Sequence, residues 1–279
     1  MSVMTRRDGL VLSMPEQEYH SGPELSSTGA KTLLRAPALY QWQQEHRIEK
    51  AAYDFGHAVH ALVLGTGLEV VIVEADTWMT KAAKEARADA YAAGKVPMLA
   101  KDFIRAQRAA NAVMEHPIAS TAFLTSGAPE VSAFWTDEST GVRCRGRFDW
   151  LRDSALEIVD LKTAADANPA TFGRSVAKFG YDLQAAWYMD GYQAITGDRP
   201  TFLHVVVEQH APHLVSVIQL DEEALHIGAL KAARAREIYA ECTKTGQWPG
   251  YDPTVIHPVG LPQWAIYEEM DREEEVFIP

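Results

Sequence analysis

The residues best suited to chemistry lie between Gly146 and Thr163, which read Gly-Arg-Phe-Asp-Trp-Leu-Arg-Asp-Ser-Ala-Leu-Glu-Ile-Val-Asp-Leu-Lys-Thr. Asp160 and Lys162 stand two apart in a β-rich run. A strand's side-chain period of two turns that carboxylate and ammonium to one face and Leu161 to the other. Asp149 lies eleven residues earlier in a second β-rich run, and Arg152-Asp153-Ser154 reads as the turn of a hairpin joining 142–151 to 155–161. A hairpin that sets Asp149 against Asp160 gives two carboxylates able to share a hard divalent cation, Mg²⁺ or Mn²⁺, with Lys162 beside it. Such a cation polarises a phosphoryl oxygen and makes its bound water a better nucleophile. The ammonium orients or deprotonates that water and offsets charge building on the phosphate.

Other residues take their places around this pair. His57 and His60 fall three apart on one face of a helix expected over 53–64, and by residue type either is a fair metal ligand. Glu130 opens a strand expected over 130–135, where a solvated strand end is one reading. Gln184 and Tyr188 lie one turn apart on a helix expected over 181–195, with Tyr181 on the same side. Their polar tips suit a cleft, where Gln184 holds Lys162 or a phosphate and Tyr188 touches a sugar-phosphate chain. Arg143, Arg145 and Arg147 alternate and share the parity of Asp149, the layout of a basic stripe along a DNA groove or of a charged sheet surface. His204, Glu208 and His210 share strand parity without further ligands at zinc spacing, so a strand edge is expected there. No Gly-x-x-x-x-Gly-Lys loop, complete dinucleotide loop or Gly-x-Ser-x-Gly elbow occurs, which leaves ATP use, NAD use and serine hydrolysis without support.

The positioning elements follow from caps and periodicity. Residues 1–25 are expected to form an extended lead-in. A helix capped by Ser26 or Ser27 carries Leu33 and Leu34 inward and stops before Pro37. Strand 70–74 and Ala-rich helices over 81–93 and 99–115, broken at Gly94 and Pro97, come next. Strands over 130–135, 142–151 and 155–161 make a meander, covered by the 181–195 helix and flanked by strands 201–208 and 214–220. Asp221-Glu222-Glu223 starts a long helix ending near Thr245, and 246–279 forms an arm. One domain is expected over 1–279.

The chain has 47% hydrophobic and 23% charged residues, the balance of an ordinary soluble protein, and no apolar run long enough for a bilayer. Two cysteines, Cys144 and Cys242, exclude a disulfide framework or a four-cysteine cluster, and a cytoplasmic location without membrane contact is expected. A formal charge of −12 argues against nucleic-acid binding by global attraction, so any DNA contact must be local. Enclosure by a ring of identical subunits would hold DNA without a strongly basic surface.

An acid in one strand followed by Asp-X-Lys in the next resembles the PD-(D/E)XK nuclease superfamily. Phe55-Gly56-His-Ala-Val-His60 resembles the Gly-x-x-x-His helix of its RecB-like and RecE-like branch, and Tyr181-Asp-Leu-Gln184-Ala-Ala-Trp-Tyr188 its Gln-x-x-x-Tyr helix. Ser26 to Pro37, Gln247 to Tyr251 and Leu261 to Ala265 resemble the phage and prophage RecE type. The resemblance implies an α/β restriction-endonuclease-like core with a mixed central sheet flanked by helices. It favours His60 over His57 as a metal ligand and adds the backbone carbonyl of Leu161 to Asp149 and Asp160. For Glu130 it implies the other reading, of equal weight, an acid near the metal or the DNA. It further implies 5′ to 3′ digestion of linear double-stranded DNA from its ends, a 3′ single-stranded product, a partner single-strand annealing protein, and a tetramer or, as in lambda-type exonucleases, a trimer. An endonuclease or a branched-strand or single-strand nuclease on the same core, and a non-catalytic DNA-binding module, are the rival readings.

Overall fold

A computed structural model describes residues 8–46, 54–153 and 156–276. In chain order the first elements are β1 (Gly9–Val11), α1 (Glu16–Ser21), β2 (Leu25–Ser26), α2 (Ser27–Arg35), α3 (Pro37–Glu45), α4 (Asp54–Leu64), β3 (Val70–Val73), α5 (Lys81–Ala92), β4 (Val96–Leu99), α6 (Ala100–Glu115) and α7 (Pro117–Leu124). The central strands β5 (Gly127–Thr136), β6 (Arg143–Arg152) and β7 (Glu157–Ala164) follow. Then come α8 (Phe172–Phe179), α9 (Tyr181–Thr196), β8 (Thr201–Glu208), β9 (Val215–Ile218), α10 (Glu222–Thr245) and α11 (Gln263–Val276).

Local chemistry explains the main boundaries. Ser26 caps α2 by accepting the Gly29 N–H, and Asp221 caps α10 through Ala224. Gly180 and Gly246, both at positive φ, end α8 and α10 in the left-handed conformation that glycine adopts without strain. The elements depart from the expectations in several places. Residues 8–25 are no extended lead-in, since they include β1, α1 and the start of β2. Helices α3, α7 and α8 lie in stretches for which no element is expected, α11 lies within the expected arm, and Val96–Leu99 is a strand despite Pro97, paired parallel to β3 in a separate small sheet. The turn residues Ser154 and Ala155, and Tyr53 at the expected start of α4, lie outside the described residues.

The main sheet runs β1-β5-β6-β7-β8-β9, with β2 beside β6. It is mixed: β7 and β8 are parallel, as are β2 and β6, and the other neighbours are antiparallel. One core cluster packs α2, α9 and α10 on one face through Phe148, Leu183, Trp187 and Ala232. The other packs α4, α6 and α7 on the opposite face through Val59, Val113, Phe123, Leu161 and Val205. Full burial of side chains such as Phe148 and Leu161 is worth about 1.5–3 kcal/mol each. Close approach fixes the helix layer, because a Cβ on Gly228 of α10 would meet the Asp182 carbonyl oxygen of α9 at 2.1 Å. Among the described residues no helix is long and apolar enough to cross a membrane.

Candidate active site

The β6–β7 hairpin is paired only near its turn, over Trp150–Val159, Leu151–Ile158 and Arg152–Glu157. Beyond those pairs the strands part. β7 continues against β8 along its whole length, while the far end of β6 takes β2 as a neighbour. Asp149 stands at the fork. Its Oδ2 accepts the Leu161 N–H at 2.8 Å, so a side chain replaces the ladder bond that the parting strands give up. The alternation of β6 also slips here. Phe148 and Leu151, three apart, both enter the core beneath α9, whereas Trp150 packs against Phe123 on the other side.

Asp160 is 1% exposed and fully engaged. Gln184 Nε2 of α9 donates to its Oδ1 at 2.9 Å, and Lys162 contacts its Oδ2. His204 Nδ1 lies 3.2 Å from the same Oδ2, placed by the parallel register that sets Asp160 beside His204. His60 reaches in from α4, with Nε2 2.7 Å from the Leu161 carbonyl and Nδ1 3.8 Å from Asp149. Gly56, one turn earlier, permits this approach, since a Cβ there would sit 3.3 Å from Thr163 Oγ1 of β7. His57 is exposed.

The two carboxylates are driven apart in character. Burial pushes Asp149 well above the ordinary carboxylate range, and the Asp160 charge adds to the push against the counter-pull of Lys162. Burial opposes the charge of Asp160 as well, yet Lys162 and the His204 hydrogen bond hold its carboxyl well below that range. Lys162 is raised in spite of its burial by Asp160 and Asp149. Burial, then the Lys162 charge, lower His60, favouring the neutral imidazole that binds metals.

Asp149, Asp160, His60 and the Leu161 carbonyl are the groups that could hold a divalent cation, and their chemistry suits one: two carboxylates, a neutral imidazole and a carbonyl. The electrostatic misfit at Asp149 points the same way, because a cation removes the repulsion that burial and Asp160 impose. No ready-made cage of three His, Cys, Asp or Glu side chains exists among the described residues, since Asp160 is turned to Lys162, Gln184 and His204.

Four of the sequence readings change. Gln184 holds Asp160 rather than Lys162. Tyr188 is 8% exposed and packs on Phe148 and over Gly146, where a Cβ would meet its ring at 3.0 Å, so it belongs to the core and not to a cleft wall. The arginine stripe is covered by the N-terminal segment. Arg143 pairs with Asp8, Arg145 donates to the Gly22 carbonyl at 2.9 Å, and Arg147 donates to the Met14 carbonyl at 2.9 Å and pairs with Glu130 at 3.1 Å. Strand parity placed these guanidinium groups on one face but carried no information about what covers it. His204, expected at a strand edge, lies fully buried in the middle of the sheet. The one signal for it was a histidine interrupting the apolar run Phe202-Leu-His-Val-Val-Val207, where a buried imidazole needs a partner. Glu130 lies across from Asp149, between the pairs Pro129–Trp150 and Val131–Phe148, at a φ of 52°. That left-handed conformation in mid-strand is a strained one for a residue other than glycine.

The model of a PDDEXK-like domain of unknown function (DUF3799) matches residues 26–253. The chain belongs to this PDDEXK-like family. Its fold is that of PDDEXK nucleases, a mixed central sheet flanked by helices. A crystal structure of a protein provisionally named an exonuclease, from Eubacterium rectale, superposes with a TM-score of 0.58 at 16% identity, covering 92% of this chain and 98% of that one. A phage-related exonuclease from Haemophilus somnus 129PT gives a TM-score of 0.35 at 12% identity, covering 80% of this chain and 96% of its own. At such identities the likeness concerns the fold alone. No curated protein sequence matches the chain.

Proposed function

We propose that this PDDEXK-like protein is a metal-dependent deoxyribonuclease that digests linear duplex DNA from an end. One observation carries the reading: Asp149, Asp160 and Lys162 meet where β6 and β7 part, with His60 and the Leu161 carbonyl at the same point. Asp149, Asp160, His60 and the Leu161 carbonyl would hold a divalent ion. When bound, that ion supplies Lewis-acid polarisation of the phosphoryl oxygen and a water of lowered pKa. Lys162, kept charged by two carboxylates, stabilises the negative charge that grows on the phosphate. Gln184 and His204 fix the orientation of Asp160, and Lys162 with His204 keeps its carboxylate ionised.

Digestion from an end agrees with the exonuclease name of the Eubacterium rectale neighbour, and the acidic net charge agrees with DNA held by enclosure in a homo-oligomeric ring. On the same reading digestion runs 5′ to 3′, and the 3′ strand passes to an annealing partner. The test is degradation of duplex labelled at one end, linear against covalently closed circular, with Mg²⁺, with Mn²⁺ and with EDTA. Loss of linear duplex with either ion and its survival in EDTA is the expected result. Cutting of closed circles would move the protein to the endonucleases, and survival of every substrate with both ions would end the nuclease reading.

A further inference from the structure

Lys31 of α2 stands by the same aromatic ring as Lys162 although it lies far away in sequence. The two ammonium groups sit 5.8 and 5.2 Å from the centroid of the same ring, that of Tyr181. The Lys31 stem crosses Gly180, where a Cβ would stand 3.1 Å from its Cδ, and its ammonium donates to the Phe179 carbonyl at 3.0 Å. Gly180 therefore serves two ends, closing α8 and leaving room for this side chain. Capping the end of α8 would account for the single hydrogen bond. It does not account for holding a half-buried ammonium in the repulsive field of a second one, a cost that a bound anion would offset. Burial first, and then the Lys162 charge, pull Lys31 down to about 8, while Asp160 and Asp182 restore only part of the loss. Two of its three N–H donors remain for an incoming ligand.

We propose that Lys31 is a second phosphate-binding cation of this site, holding the backbone phosphate next to the phosphodiester that Lys162 serves. The proposal rests on the nuclease reading and names the subsite that keeps the cut strand in place. The charged groups facing Lys31 are Lys162 and Asp160 of β7 and Asp182 of α9, the last already paired with Lys231 of α10. Asp160 is already paired with Lys162 and Asp182 with Lys231, so a phosphate oxygen would give Lys31 an anion of its own.

The test uses the full chain and a short fluorescein-labelled DNA duplex, with EDTA present so that binding is read without cutting. Neutralising one phosphate contact changes the slope of log K against log salt by about 0.9. Lys31→Gln is expected to flatten the slope by about one unit and to raise KM in the Mg²⁺ assay with kcat nearly unchanged. Lys31→Arg is expected to restore the slope, whereas a cap of α8 would alter melting and leave the slope alone. Should Lys31→Gln not fold, calorimetry in buffers of different ionisation enthalpy compares proton uptake on duplex binding at pH 8.5. Wild type should take up protons that Lys31→Arg, which does not titrate, does not. A wild-type slope in Lys31→Gln, or equal uptake in wild type and Lys31→Arg, overturns the assignment. A wild-type chain that neither binds nor cuts duplex overturns the nuclease reading with it.

Discussion

Changing each of the two strand acids to its amide should move stability in opposite directions. In Asp160→Asn one oxygen still accepts from Gln184, but the position that faced His204 and Lys162 becomes an NH₂. Lys162, whose side chain is 17% exposed, loses its close counter-ion. Uncompensating a buried charge costs about 3–5 kcal/mol, and the lower end applies because Asp149 remains nearby. Asp149→Asn keeps an acceptor for the Leu161 N–H and removes the repulsion from Asp160, for a gain of about 1 kcal/mol, as relief of active-site strain commonly gives. With urea slopes of about 1–3 kcal/mol per M, Asp160→Asn should unfold about 1 M earlier or more, and Asp149→Asn somewhat later than wild type. Both should lose cleavage. The measurement is urea unfolding by circular dichroism in EDTA at several pH values.

The sign with pH differs between the acids as well. A carboxyl raised in the folded state binds protons more tightly there than in the unfolded chain. The contribution of Asp149 is therefore complete below about pH 4 and falls as pH rises through its raised value, a slope that Asp149→Asn should abolish. Asp160, depressed in the fold, contributes above about pH 4 and loses that contribution as pH falls through its folded value. Equal destabilisation by the two amides, or an Asp160→Asn protein as stable as wild type, would refute this account of the pair.

Lys162→Ala should lower kcat by at least ~10³, checked by single-turnover cleavage of end-labelled duplex, because the cation beside the developing phosphate charge is gone. Arg147→Ala should cost about 1–3 kcal/mol in urea unfolding, since it strands Glu130 and the Met14 carbonyl, while the salt dependence of duplex binding stays at its wild-type slope. A flattened slope would return that arginine to the DNA. Light scattering at working concentration should give a closed oligomer, and processive digestion of long duplex by a monomer would exclude the ring.

The sequence revealed those parts of the site whose geometry is local. Asp160 and Lys162 are two apart on one strand, so a period of two sufficed to place them together, and the short hairpin brought Asp149 within reach. The caps at Ser26 and Asp221 likewise announced α2 and α10. His204 was hidden because its neighbourhood with Asp160 depends on a parallel pairing of β7 with β8, across a crossover through α8 and α9 that no local pattern encodes. The arginine stripe misled for the opposite reason: its periodicity was sound, but a strand does not record which distant segment lies on it. Strand β4 was missed because Pro97 argues against a strand, and the small sheet tolerates it.

The parallel pairing of β7 with β8 has a consequence for biosynthesis. Asp149, Asp160 and Lys162 leave the ribosome well before Thr201–Glu208, so for about 40 residues of synthesis β7 has a partner only near the hairpin turn. During that interval its free edge carries Ile158, Val159 and Leu161, a run suited to pairing with another chain. A nascent chain halted before Thr201 would therefore hold both strand carboxyls, Asp149 and Asp160, and yet be a template for aggregation. Arrival of β8 closes that edge and delivers His204 to Asp160 in one event, which ties completion of the site to the removal of the exposed strand.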